Sequence, residues 1–182
     1  MSDKSFENII SNVEIDEKKL RVANEIIANL QQELVMHIDN GAGPFLAAIY
    51  DSKGNLVVKE VNSVIKNKCS ICHAEMNVIK KAEAIFETHD LSQFDLSLYV
   101  TAEPCVMCLG GIMWSGIKSV YYGVPSCKVE EITGFDEGFK PDWLEEFKKR
   151  GISVYGNIQS PLGEQVLRQY ISSDKPVYNP ER

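Results

Sequence analysis

A proline followed by two cysteines three residues apart, Pro104-Cys105-Val106-Met107-Cys108, constrains this chain more than any other stretch. Proline has no amide hydrogen to lose and a φ already near the helical value, so Pro104 is expected at the first position of a helix. Cys105 and Cys108 then share one face of its first turn. Thiols there sit beside unpaired backbone N–H groups and the positive end of the helix dipole, which lowers their pKa and suits them to zinc. Two ligands do not hold a metal. The best third by residue type is His73, in His73-Ala74-Glu75.

Apolar spacing places these residues on elements. Leu20, Ala23, Ile27, Leu30 and Leu34 recur at three- and four-residue intervals, predicting one long amphipathic helix from about Asp16 to His37, ended by Asp39-Asn40-Gly41. Phe45 to Tyr50 and Leu56 to Val61 are strand-like, and Asp51-Ser52-Lys53-Gly54-Asn55 between them has the composition of a hairpin turn. After a polar segment from Asn62 to Ser70, Val78, Ile79, Ala82, Ile85 and Phe86 form the stripe of a helix starting at His73 or Ala74. Glu75 projects from that stripe, where a carboxylate is costly without a partner or a task. Asp95 to Thr101 alternates as a strand leading into the Pro104 helix. Ser119–Gly123 and Ile152–Tyr155 read as strands, with a short helix over Asp142–Arg150 and a last one capped by Ser160-Pro161. Paired strands followed by strands alternating with helices predict an α/β fold, a three-layer α/β/α sandwich on a mixed sheet of about five strands. One domain is expected over 1–182, with a helical segment at 1–40, polar and weakly patterned over 1–13, and a tail at 172–182 that docks.

Lysine and arginine total 19 against 26 acidic residues, a net charge of −7, which argues against a nucleic-acid partner gripped by its phosphates. No apolar run approaches the roughly 20 residues of a membrane span, and no signal-peptide core follows Met1, so a cytoplasmic protein is expected. Five cysteines, four of them in two Cys-x-x-Cys pairs, point to metal or redox chemistry rather than a disulfide framework.

With His73, Cys105 and Cys108 as ligands, a zinc ion keeps its fourth position open to water, as catalytic sites require, and Glu75 stands beside it as a general acid/base. A structural four-cysteine site joining Cys69 and Cys72 to Cys105 and Cys108 is the plain alternative. It leaves His73 and Glu75 idle. His-x-Glu opening one helix and Pro-Cys-x-x-Cys opening another resemble the signature of the cytidine-deaminase-like superfamily, the zinc-dependent nucleobase deaminases.

Within that superfamily, Ala102-Glu103-Pro104-Cys105-Val106-Met107-Cys108-Leu109-Gly110 with Trp114 resembles the branch of bacterial guanine deaminases and tRNA adenosine deaminases. Gly134-Phe135-Asp136-Glu137-Gly138, and Gly43-Pro44-Phe45 before the first strand, resemble the guanine deaminases, and the likeness runs from about Gly41 to the C-terminus. The resemblance implies a Zn2+ cofactor and hydrolysis of guanine to xanthine and ammonia, with Glu75 moving protons. It assigns Asn62 to a contact with the purine, Ala74 N–H to a ring oxygen, Asp136 and Glu137 to the base or a proton relay, and Tyr178 to closing the pocket, within the chain or across a subunit boundary. It also implies a homodimer, for which Ile112-Met113-Trp114 is the candidate contact. A solvated acidic loop and a tail without substrate contact are the plain readings of Asp136, Glu137 and Tyr178. A tRNA adenosine deaminase, a deaminase of cytosine or of a triazine such as ammeline, and a zinc-stabilised scaffold are the alternatives.

Overall fold

The computed structural model describes residues 16–139 and 141–180. The expected polar lead-in over 1–13 lies outside them. The described residues open on helix α1 (Glu17–Asp39), whose first orphan N–H groups are satisfied by the Asp16 carboxylate at 3.0 and 3.1 Å. Strands β1 (Leu46–Tyr50) and β2 (Leu56–Val61) make the expected hairpin. Then come α2 (Val64–Asn67), α3 (Ala74–Ile85), β3 (Ser97–Ala102), α4 (Val106–Ser115) and β4 (Ser119–Val124). The chain closes with α5 (Ser126–Thr133), α6 (Trp143–Lys149), β5 (Ser153–Tyr155) and α7 (Ser160–Ser172).

The five strands form one mixed sheet in the order β2-β1-β3-β4-β5, antiparallel across β2-β1-β3 and parallel across β3-β4-β5. Alternation along the strands feeds two cores. Ala48, Tyr99, Tyr121 and Tyr155 face α1 and α7, whereas Ala47, Ile49, Leu98 and Val100 face α3 and α4. Tyr99, Tyr121 and Tyr155 stack across neighbouring strands with centroids 4.7 and 4.9 Å apart. The α1 stripe is fully buried, and each such Leu or Ile contributes about 1.5–3 kcal/mol relative to exposure. One polar residue interrupts it: Gln31 Nε2 donates to the Thr101 carbonyl at 2.8 Å, locking α1 to the end of β3 that leads into the Pro104 segment.

Two expectations are corrected, and two short helices are added that apolar spacing did not show. Pro104 lies outside α4 and Cys105 is the cap, because the chain leaves β3 extended and a cap residue keeps extended backbone. Ser160 is the first residue of α7, with Gln159 capping it in the left-handed region. Residues 64–67 and 126–133 are helical; both stretches are too short for an apolar period to show.

Candidate active site

The two ligand-bearing stretches have the same local structure, an extended cap residue followed by a helix. His73 caps α3 with φ −67° and ψ 157°, and Cys105 caps α4 with φ −68° and ψ 168°. Each side chain thereby sits at a helix N-terminus, where the dipole favours thiolate at Cys105. Cys108 enters from the first turn of α4 and is buried.

His73 Nδ1 lies 3.5 Å from Cys105 Sγ and 3.6 Å from Cys108 Sγ. A tetrahedral zinc with bonds of about 2.0–2.1 Å to nitrogen and about 2.3 Å to sulfur has N···S edges of roughly 3.5 Å. The three donors therefore stand as corners of such a tetrahedron, and two sulfurs with one imidazole form a donor set that zinc accepts. Among the described residues, Cys69 and Cys72 do not join this group, so the four-cysteine alternative is not formed.

The electrostatics belong to a coupled cluster. Cys105 is drawn down to about 4, first by its hydrogen bond with Cys108 and then by His73, while Cys108 is pushed well above the usual thiol value by the Cys105 hydrogen bond and by burial. Burial disfavours charge on His73, yet the Cys105 hydrogen bond and the charges of Glu75, Cys105 and Glu137 raise its pKa. Glu75, only 5% exposed, is raised by burial and then by the negative Cys105. The sequence-predicted general acid/base is thus held where its proton is hardest to lose.

A cavity of about 350 Å³ opens over this cluster. His73, Glu75 and Cys105 line it, Phe45, Phe135 and Tyr178 form an aromatic wall, and Asp136, Glu137 and Gly138 bring the acidic loop to its edge. Glu137 is buried and Asp136 is exposed, with an Asp136 carboxylate oxygen accepting from Gly138 N at 2.9 Å. Tyr178 packs on Phe135 at 4.6 Å from within the same chain. Two buried polar atoms have no hydrogen-bond partner among the described residues near this wall, Tyr178 Oη and Asn62 Nδ2, although Asn62 Oδ1 accepts from Val64 N at 3.2 Å. Asn62 and Ala74 do not themselves line the cavity; Ala74 is the first residue of α3, where an N–H falls outside the intrahelical ladder.

One positioning residue was missed in the sequence. Asn179 accepts from Asp136 N at 3.0 Å and donates to the Gly134 carbonyl at 2.7 Å, clamping the tail to the acidic loop. Its only signal was adjacency to Tyr178. His37 faces Glu33, one turn earlier on α1, at 3.2 Å.

The model of the cytidine and deoxycytidylate deaminase zinc-binding region matches residues 20–124, which include all three ligands and most of α1. The metal they are arranged for is therefore zinc, and α1 belongs to the shared fold rather than standing outside it. A guanine deaminase of Bacillus subtilis (strain 168) is 31% identical over 128 residues, 70% of each chain. Two solved structures, each 31% identical, cover 93% of this chain: a protein in complex with 2,6-diaminopurine (89% of that chain, TM-score 0.80) and a guanine deaminase from Nitrosomonas europaea (91% of that chain, TM-score 0.73). A tRNA-specific adenosine deaminase of Rickettsia typhi is 31% identical over 80 residues, 44% of this chain and 53% of its own length.

Proposed function

This chain belongs to the cytidine and deoxycytidylate deaminase family, and on that premise we propose that it hydrolyses guanine to xanthine and ammonia. The observation that carries the choice of base is the polar inventory at the cavity: carboxylates at Glu75 and Glu137 on its wall, and an unpartnered amide donor at Asn62 behind it, where Asn62 and the lining Tyr178 both approach Gly43. Guanine presents ring N1–H and amino donors to carboxylates and a carbonyl oxygen to an amide N–H, whereas adenine has no carbonyl oxygen. A planar purine also suits the wall of Phe45, Phe135 and Tyr178. The names of the Bacillus and Nitrosomonas relatives support the same base.

His73, Cys105 and Cys108 would hold the zinc, which when bound would supply water activated at neutral pH. Glu75 accepts a proton from that water as oxygen bonds to C2, and delivers it to the adjacent ring nitrogen. A second proton passes through Glu75 to the departing amine, the C2–N bond breaks, and ammonia leaves. Burial raises the Glu75 pKa, which makes its carboxylate a stronger base toward the proton of the attacking water. Asn62 Nδ2 and the Ala74 N–H bind and orient base oxygen, Glu137 accepts from the base and relays protons, Asp136 shapes the loop edge, and Tyr178 excludes water. A homodimer is part of this reading, supported by Trp114, which is 83% exposed on α4 while its neighbour Ile112 is in the core.

The adenosine reading has the Rickettsia match in its favour and the charge of −7 against it. Ammonia release from guanine, adenine, cytosine, ammeline and a tRNA anticodon stem-loop by zinc-loaded protein decides between them. Guanine turnover is the expected result. Turnover of the stem-loop alone, or of none of the panel, overturns it.

A further inference from the structure

The second Cys-x-x-Cys pair, Cys69-Ser70-Ile71-Cys72, takes no part in the metal group, yet it ends one residue before His73. Both cysteines are free and half-buried. Residues 69–72 form a turn closed by a hydrogen bond from Cys72 N to the Cys69 carbonyl at 3.1 Å. A β-turn of this kind brings its first and last Cα atoms within about 7 Å, and disulfides span about 4.4–6.8 Å. The neighbouring Cys72 thiol is the first of the causes that lower the Cys69 pKa, followed by the Ile71 backbone N–H. Thiolate at Cys69 is the form that reacts with oxidants. The other cysteines are less suited: Cys108 is buried with Cys105 in the zinc group, and Cys127 is exposed on α5, apart from that group.

The turn is wired to the cavity. Ser70, between the two cysteines, lines it. The Cys72 carbonyl accepts from Ser63 N at 3.0 Å and from Asn77 Nδ2 at 3.3 Å, and Asn77 also donates to the Val61 carbonyl at 3.0 Å. Ser63 follows Asn62, and Asn77 lies on α3 one turn beyond the His73 cap. Asn67 Nδ2 reaches Cys72 Sγ at 3.8 Å and Ser63 Oγ at 2.9 Å, so the sulfur touches the same network.

We propose that Cys69 and Cys72 are a reversible modification site, closing to a disulfide under peroxide and loosening the network that holds the Asn62–Ser63 segment, which leads into the cavity-lining Val64. The Cys69 thiolate attacks one peroxide oxygen: an S–O bond forms, the O–O bond breaks, and hydroxide leaves as water after protonation. The Cys72 thiolate then attacks the sulfenic sulfur, forming S–S, breaking S–O and releasing a second water. The sulfur pair is oxidised by two electrons and one peroxide is reduced to two waters; a thiol reductant reverses the change by exchange. Such a bond is transient by nature, as intracellular disulfides commonly are.

The test uses the zinc-loaded full chain and a small excess of hydrogen peroxide, read by peptide mapping without reductant and by amide hydrogen exchange over residues 61–77. The expected result is loss of two hydrogens on the peptide holding both cysteines, with zinc content unchanged, full reversal by a thiol, and faster exchange of the Ser63 amide. Cys69→Ser, whose hydroxyl keeps a hydrogen bond in the turn, shows neither change. Bonding of Cys105 to Cys108 with zinc loss, oxidation of Cys69 that stops short of S–S, or closure of the disulfide with Ser63 exchange unaltered each overturns the proposal. None of these readouts depends on which amine the protein removes.

Discussion

Tyr178 and Gly43 meet so closely that a β-carbon on Gly43 would stand 2.6 Å from the Tyr178 hydroxyl, and 2.7 Å from Asn62 Oδ1. The absence of a side chain at residue 43 therefore sets where the tail aromatic and the buried amide come together beside the cavity. Gly43→Ala forces both side chains to move, and overpacking of this kind costs about 1–3 kcal/mol of stability. The larger expected loss is functional: displacing cavity groups by an ångström lowers kcat/KM for guanine by about 100-fold. Zinc content stays at the wild-type level. Steady-state kinetics with metal analysis checks this, and unchanged kcat/KM sinks the assigned role of the Tyr178–Asn62 pair.

Burial first, and then the negative Cys105, raise the pKa of the Glu75 carboxyl, which lines the cavity together with the zinc ligands His73 and Cys105. Glu75→Gln keeps the shape and removes the proton transfer. Turnover is expected to fall by about 100- to 10,000-fold, the range general acid–base catalysis supplies, with zinc retained. Turnover by Glu75→Gln at a tenth of wild type or more leaves the proton shuttle without its residue.

The two loop acids differ in setting. Glu137 is 8% exposed, and its charge reaches both His73 and Tyr178, whereas Asp136 is exposed and spends a carboxylate oxygen on the Gly138 N–H. Glu137→Gln is expected to cut kcat by about 100-fold or more. Asp136→Asn, which keeps the turn bond through its amide oxygen, changes kcat little. Parallel kinetics of the two variants checks the assignment, and the reverse order of effects transfers the relay to Asp136.

What the sequence made legible was whatever has a period or a chemical type. The α1 stripe from Leu20 to Leu34, the β1–β2 hairpin, the strand leading into Pro104 and the trio His73, Cys105 and Cys108 all follow from spacing or ligand identity. Glu75 stood out because a carboxylate interrupted an apolar stripe. Short elements did not show: α2 and α5 bury too few residues to set a rhythm. Contacts between distant segments were equally hidden, since nothing local says that Asn179 will hold Asp136 and Gly134, or that Asn77 will tie α3 to Val61 and Cys72. The helix starts two residues later than Pro104 suggested, because proline's preference for a helix start does not say whether the next residue is still the cap.

Zinc affinity should follow pH in steps that the ligand pKa values order. Cys105, at about 4, is already thiolate near neutrality and releases no proton on binding. Cys108, raised well above the usual thiol range, is protonated in the metal-free protein and must give up one. His73, also raised, gives up a second wherever the pH lies below its pKa. Because these protons compete with the metal, lowering the pH weakens binding, by about tenfold per pH unit while Cys108 alone loses a proton and about a hundredfold per unit once His73 joins it. The stability that zinc adds by binding the folded chain declines in the same sense. Competition against a metal buffer between pH 6 and 8, with proton release measured by calorimetry in buffers of different ionisation enthalpy, reads both quantities. An affinity that does not change across that interval contradicts the proposed protonation of Cys108, and with it the reading of Cys105 and Cys108 as one thiolate and one thiol sharing a hydrogen bond before the metal arrives.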